Sequence, residues 1–198
     1  MIELLAATKN KGKLREIEKL FTGGSIRVKL YFLPDFNITV DCRETGETFI
    51  ENASIKSLFY GKFVPDIYTV GDDSGLAVES LNGAPGIYSA RYSGPGATDE
   101  KNIIKLLEQL KGIQNRKAKF VTAVCLSKNG QVIQTFTGEV EGIIIDEKRG
   151  TGGFGYDPVF YYPPLKKTFA ELSTDEKNQI SHRARAFRKL RAFLESLG

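Results

Sequence analysis

The chain has 198 residues and a formal net charge of +4, from 28 Lys and Arg against 24 Asp and Glu. With 26% charged and 41% hydrophobic residues, it is not a disordered tail, a collagen, a coiled coil or a disulfide scaffold. It has the length of one ordinary domain or two small ones, burying roughly 70% of the unfolded surface. The small positive charge permits weak attraction to phosphates but falls short of the usual basicity of a nucleic-acid protein.

Residues 2–7 are a short apolar run with no basic stretch before it, which reads as a buried strand and not as a signal peptide. A polar loop follows, Thr8-Lys9-Asn10-Lys11-Gly12-Lys13, and then Leu14, Ile17, Leu20 and Phe21 recur at helical spacing. Gly23-Gly24 should stop that helix, and residues 26–33 read as a second strand. Residues 48–60 read as a helix opened by a Thr48–Glu51 capping box, with Phe49, Ile50, Ala53 and Tyr60 on its buried face. Residues 67–71 are rich in strand formers, and Gly71-Asp72-Asp73-Ser74-Gly75 should break the run. Residues 82–96 are dense in Gly and Pro, an ordered loop or a link between lobes.

Thr98 should cap a helix with Asp99 and Glu100 in its first turn and Gly112 at its end. Residues 119–127 and 131–137 flank Asn129-Gly130, a strong hairpin signal, and residues 140–146 read as a further strand. The last helix should start at Ser173, paired with Glu176 as a second capping box, with Ile180, Ala184, Phe187, Leu190, Leu194 and Leu197 as its apolar stripe. No apolar run approaches the ~20 residues that span a bilayer. Cys42 and Cys125 lie outside any CxxC pair and His182 is the sole histidine, so Cys and His cannot assemble a zinc site. Any metal must be held by oxygen, which points to Mg²⁺ or a similar hard ion. Reduced thiols and the lack of a leader are the pattern of a cytoplasmic protein with no membrane partner.

Four segments carry candidate chemistry. The Thr8 to Lys13 loop joins a strand to a helix N-terminus and is either a phosphate cradle or a solvated Lys-rich turn; it lacks the spacing of a P-loop. Asp72 and Asp73 end an apolar run, where a divalent cation would relieve their repulsion and a carboxylate could deprotonate water; an acidic turn is the plainer reading. Residues 150–158 contain a formal GxGxxG, but strand-like and Pro-interrupted sequence follows where a dinucleotide fold needs a helix. Their glycines could instead admit a base against Phe154 or Tyr156. Lys177 and Ser181, and Gln179 and Arg183, are four apart on the last helix, within a basic face that runs on to Arg191.

In this order the segments resemble the inosine/xanthosine triphosphate pyrophosphatase family. The matching blocks are Thr8, Asn10 and Lys13; Glu44-Thr45-Gly46 with Phe49-Ile50-Glu51-Asn52-Ala53; Asp72-Asp73-Ser74-Gly75-Leu76 with Gly83-Ala84-Pro85-Gly86-Ile87-Tyr88-Ser89-Ala90-Arg91-Tyr92; residues 150–158; and Ile180-Ser181-His182-Arg183. They span essentially the whole chain. The resemblance implies an α/β fold with an elongated central mixed β-sheet and flanking helices, two lobes of one catalytic domain around a cleft, and a homodimer. It also implies Mg²⁺-dependent hydrolysis of ITP, dITP and XTP to the monophosphate and pyrophosphate, which cleanses the nucleotide pool.

By the same resemblance, Thr8, Asn10 and Lys13 hold the triphosphate with Lys9, Lys11 and the Gly12 backbone beside them, and Lys56 lies near the phosphates. Glu44 and Asp73 bind Mg²⁺ directly or through water, and Asp73 activates the water that attacks the α-phosphorus. Ser74 touches substrate, Phe154 stacks on the purine, and Gly155, Tyr156 and Asp157 line the base pocket. Lys177, His182 and Arg183 read the base edge and secure the nucleotide. Donors there would favour a 6-oxo purine over a 6-amino one, at about 1–3 kcal/mol for each donor left unpaired. Arg43 beside Glu44 and Lys9 in the first motif depart slightly from the family's pattern. The competing readings are a nucleic-acid binder acting through the basic residues from Arg183 to Arg191, and a nucleotide sensor without turnover.

Overall fold

The computed structural model describes residues 1–22 and 26–197. Strand β1 (Ile2–Ala6) is followed by helix α1 (Lys11–Phe21), β2 (Val28–Phe32), α2 (Phe49–Gly61) and β3 (Tyr68–Val78). Side chains alternate across a strand, and both faces of β1 are covered. Leu4 and Ala6 pack with Ile17, Phe21, Phe187 and Leu190, whereas Leu5 packs with Leu33, Tyr60 and Val64. β1 pairs in parallel with β2 and β3, as strands buried on both faces do. The helix stop expected at Gly23-Gly24 lies outside the described residues.

The chain continues through α3 (Asp99–Gln109), β4 (Lys117–Lys128), β5 (Gln131–Ile144), β6 (Phe160–Tyr162), β7 (Lys167–Thr168), α4 (Thr174–Ile180) and α5 (His182–Ser196). The strands form a seven-stranded mixed sheet in the order β2-β1-β3-β4-β5-β6-β7, with β6 antiparallel to both its neighbours. Asn129 and Gly130 have φ of 52° and 72°, the left-handed backbone of a two-residue hairpin turn. Both expected capping boxes form, at Thr48–Glu51 and Ser173–Glu176, and Thr98 caps α3.

The fold divides into two compact units. The first comprises Met1–Asp73, Thr122–Gly138 and Arg183–Gly198; the second comprises Ser74–Val121 and Glu139–His182. The first has the core described around β1. The second is built on Leu76, Val78, Leu106, Phe120, Phe160 and Phe169, with the Phe120 and Phe160 rings 4.4 Å apart.

Several elements depart from the sequence reading. β3 does not break at residues 71–75 but runs straight through them. Gly71 lets α2 press against the strand, since a Cβ there would sit 2.3 Å from the Ala53 carbonyl oxygen. The two stretches expected at 131–137 and 140–146 are one continuous strand. The helix expected from Ser173 onward is two helices, because Ser181 is extended (φ −64°, ψ 155°) and caps α4. Ile50 and Leu197, expected on buried faces, are exposed. Among the described residues no helix is long and apolar enough to cross a membrane.

Candidate active site

The first unit gathers a group of buried charges. Asn10 caps α1, its Oδ1 accepting from the backbone of Gly12 (2.9 Å) and Lys13 (3.1 Å), while Thr8 Oγ1 accepts from Asn10 N. The loop thus bonds several of its own amides, and its cap fixes where Lys13 leaves the first turn. Lys13 Nζ lies 2.9 Å from Asp72 Oδ2, and Arg183 Nε lies 3.5 Å from the same oxygen. The other side of Arg183 bonds Glu16 through Nη1. Lys56 Nζ lies 3.3 Å from Glu44 Oε2 and 3.5 Å from Asp73 Oδ1.

One residue ties the acidic segment to the strand. Asn52 Nδ2 donates to Asp73 Oδ2 (3.3 Å), and its Oδ1 accepts from Gly46 N (2.8 Å). A Cβ at Gly46 would stand 2.8 Å from that Oδ1, so a glycine is needed for the loop to approach. Asn52 and Lys56 are four apart on α2 and therefore share a face.

These charges set each other's protonation. Burial works to raise the Asp72 carboxyl, but Lys13, Arg183 and Lys56 outweigh it and hold its pKa at about 2. Burial pushes the Asp73 carboxyl above its ordinary value, with Lys56 and Lys13 only partly opposing it. Burial lowers the Lys13 ammonium. It also works against Lys56, but Asp72, Asp73 and Glu44 more than compensate and raise it. Neighbouring carboxylates on one strand therefore differ: Asp72 is a fixed anion, and Asp73 is the more basic of the two.

Two of the expected phosphate ligands sit apart from this group. Lys9 is turned to Asp41 Oδ1 and the Thr39 carbonyl oxygen, both at 2.6 Å, and Lys11 is exposed.

The second unit holds an aromatic and glycine-rich loop. Asp157 Oδ2 accepts from Phe154 N (2.9 Å) and from Lys177 Nζ (2.6 Å), and Lys177 stands 4.8 Å from the Phe154 ring centroid. Asp157 and Lys177 are both buried. Tyr156 Oη donates to the Ser89 carbonyl oxygen (2.8 Å), and burial pushes its phenol well up. Gly155 N donates to Asp99 Oδ2 (2.7 Å). His182 lies flat on Phe120, with the rings 4.8 Å apart and 14° from parallel. Phe154, Gly155, Tyr156, Asp157 and Lys177 thus come together, and Ser74 follows Asp73 on β3. Arg183, expected to help read the base and secure the nucleotide, is buried with Glu16 and Asp72.

The match to the Ham1 family model covers residues 4–193. A dITP/XTP pyrophosphatase of Bacillus licheniformis is 47% identical over 197 residues, covering 98% of this chain and 99% of that relative. The solved structure of the Staphylococcus aureus Ham1 protein is 43% identical with a TM-score of 0.87, covering 99% of this chain and all of that one. A Ham1 protein from Coxiella burnetii has a TM-score of 0.89 at 39% identity, with the same coverage. The chain belongs to the Ham1 family.

In this Ham1-family chain the donor set suits a hard cation. Glu44 and Asp73 offer carboxylate oxygens to one shared ammonium. Among the described residues no cluster of three or more His, Cys, Asp or Glu is poised for a metal. Sequence reasoning missed Asn52, Glu16 and Asp99 as members of these groups. The i,i+4 spacing of Asn52 to Lys56 was a usable signal. Glu16 and Asp99 bond residues 167 and 56 positions away, and no local pattern announces that.

Proposed function

We propose that this protein hydrolyses non-standard purine nucleoside triphosphates (ITP, dITP and XTP) to the monophosphate and pyrophosphate. The observation that carries this reading is the contact of the half-buried Glu44 with the buried Lys56 and Asp73, which assembles two hard carboxylates and a cation in one place. The name carried by the relatives, dITP/XTP pyrophosphatase, supports it. Lys13 and Lys56 neutralise phosphate charge. Glu44 and Asp73 would hold Mg²⁺, which when bound adds further neutralisation of the triphosphate. Asp73 takes a proton from the attacking water, whose oxygen bonds the α-phosphorus while the bond from that phosphorus to the bridging oxygen breaks and pyrophosphate leaves. Asp72 is instead engaged by Lys13 and Arg183, whereas Asp73 shares the Lys56 ammonium with Glu44.

Base selection belongs to the loop of the second unit. Phe154 offers a ring face to the purine, and Lys177 and His182 supply donors that favour a 6-oxo group. Through this activity the protein would cleanse the nucleotide pool; a homodimer follows from the family resemblance, and a cytoplasmic location from the reduced cysteines of the sequence reading. The nucleic-acid reading loses support because Arg183 is buried, Lys189 bonds the Thr137 carbonyl oxygen and Arg191 bonds the Leu20 carbonyl oxygen. Asp73→Asn tests the proposal: pyrophosphate release from ITP should fall by at least about 10²-fold with circular dichroism unchanged. Full activity in that variant contradicts the role of Asp73, and orthophosphate as first product contradicts attack at the α-phosphorus.

A further inference from the structure

The loop that carries Phe154 is fastened in steps. At its start, Gly150 and Gly152 lie against Ala170: a Cβ on Gly150 would stand 2.5 Å from the Ala170 carbonyl carbon, and Gly152 N donates to the Ala170 carbonyl oxygen (3.0 Å). At its end, Asp157 holds Phe154 N and Lys177. The tip is Gly155, in the left-handed region (φ 60°), where an added Cβ would meet nothing within 4 Å. Its N–H reaches out of the loop to the Asp99 carboxylate in the first turn of α3. Successive amides at 154 and 155 therefore each end on a carboxylate, one from within the loop and one from another element.

We propose that Asp99 is a positioning residue for base selection: by holding the Gly155 N–H it fixes the Phe154–Gly155 peptide, and so fixes the ring on which a purine stacks. This rests on the loop being the purine site, as in the proposed function. With the latch in place the tip cannot shift to accommodate a different 6-substituent. Without it the loop adapts, and discrimination between 6-oxo and 6-amino purines falls.

Asp99 also places a negative charge at a helix N-terminus, and three variants separate the two roles. Asp99→Asn keeps an acceptor oxygen in place and loses the charge. Asp99→Glu keeps the charge and displaces the acceptor by one methylene. Asp99→Ala loses both. For the latch, Asn should stay within about threefold of the parent. Glu and Ala should raise KM for ITP about tenfold with kcat within about twofold, and lower the ITP:ATP ratio of kcat/KM about tenfold. The Gly155 amide proton, read by NMR without any turnover, should keep its downfield position in Asn and lose it in Glu and Ala. A charge role gives the opposite order, with Glu near the parent and Asn like Ala, and overturns the proposal. An unmoved Gly155 amide in Ala also overturns it. If the parent releases no pyrophosphate from ITP, the proposed function fails on its own, and the amide shifts still judge the latch.

Discussion

Arg183→Met separates two readings of one residue. The guanidinium is 1% exposed and bonds Glu16 on one side while lying 3.5 Å from Asp72 on the other; those carboxyl-bearing residues are 5% and 2% exposed. Methionine fills much of the volume but leaves Glu16 buried without its arginine, and breaking a buried ion pair from one side costs about 3–5 kcal/mol. In a chain of this size each kcal/mol moves Tm by roughly 2–4 °C, so the expected fall is roughly 6–20 °C. Removing the other charge as well, in Glu16→Met with Arg183→Met, should recover most of it, with a coupling of about 2 kcal/mol or more. Thermal and urea unfolding followed by circular dichroism measure both variants. If Arg183→Met melts within about 2 °C of the parent while its preference for ITP over ATP collapses, Arg183 reads the base and the buried-pair reasoning fails.

Further consequences follow from the same geometry. Gly153 has φ 72°, and a Cβ there would stand 2.0 Å from Asp157 Oδ2. Gly153→Ala should therefore displace the Asp157–Lys177 pair and raise KM for ITP about tenfold, at a stability cost of about 1–3 kcal/mol; an unchanged KM from initial rates contradicts this. Asp72 has its folded pKa depressed to about 2 from 3.8, so its contribution is fully present above 3.8 and is lost as pH falls toward about 2. That contribution is about 2 kcal/mol. Urea unfolding of the metal-free protein across that window should show a slope that Asp72→Asn flattens, and an equal slope in the two proteins refutes the assignment.

What the sequence made legible was local. The capping boxes at Thr48 and Ser173 and the Asn129-Gly130 turn need only residues three or four apart, and each forms. The helix break at Ser181 was hidden because the apolar stripe continues through it. Ile180 serves the second unit's core and Ala186 and Phe187 the first's, so two helices share one apparent period. Asp72 and Asp73 read as a turn because adjacent carboxylates are poor strand formers alone. Lys13 and Lys56 supply the counter-charge, and Gly71 supplies the space for α2. At the candidate site the acidic and basic residues were visible by type, but their pairing was not. Lys9 matched the phosphate motif yet binds Asp41, and Arg183 matched the base motif yet binds Glu16. Such partners are chosen by tertiary packing over long separations, which a motif does not record.

The most direct measurement is release of pyrophosphate from ITP, dITP, XTP, GTP and ATP, each with and without Mg²⁺. The expected result is hydrolysis of ITP, dITP and XTP to the monophosphate and pyrophosphate, dependent on Mg²⁺, with GTP and ATP slower by at least about tenfold. A flat profile across the five nucleotides, or orthophosphate as the first product, would contradict it.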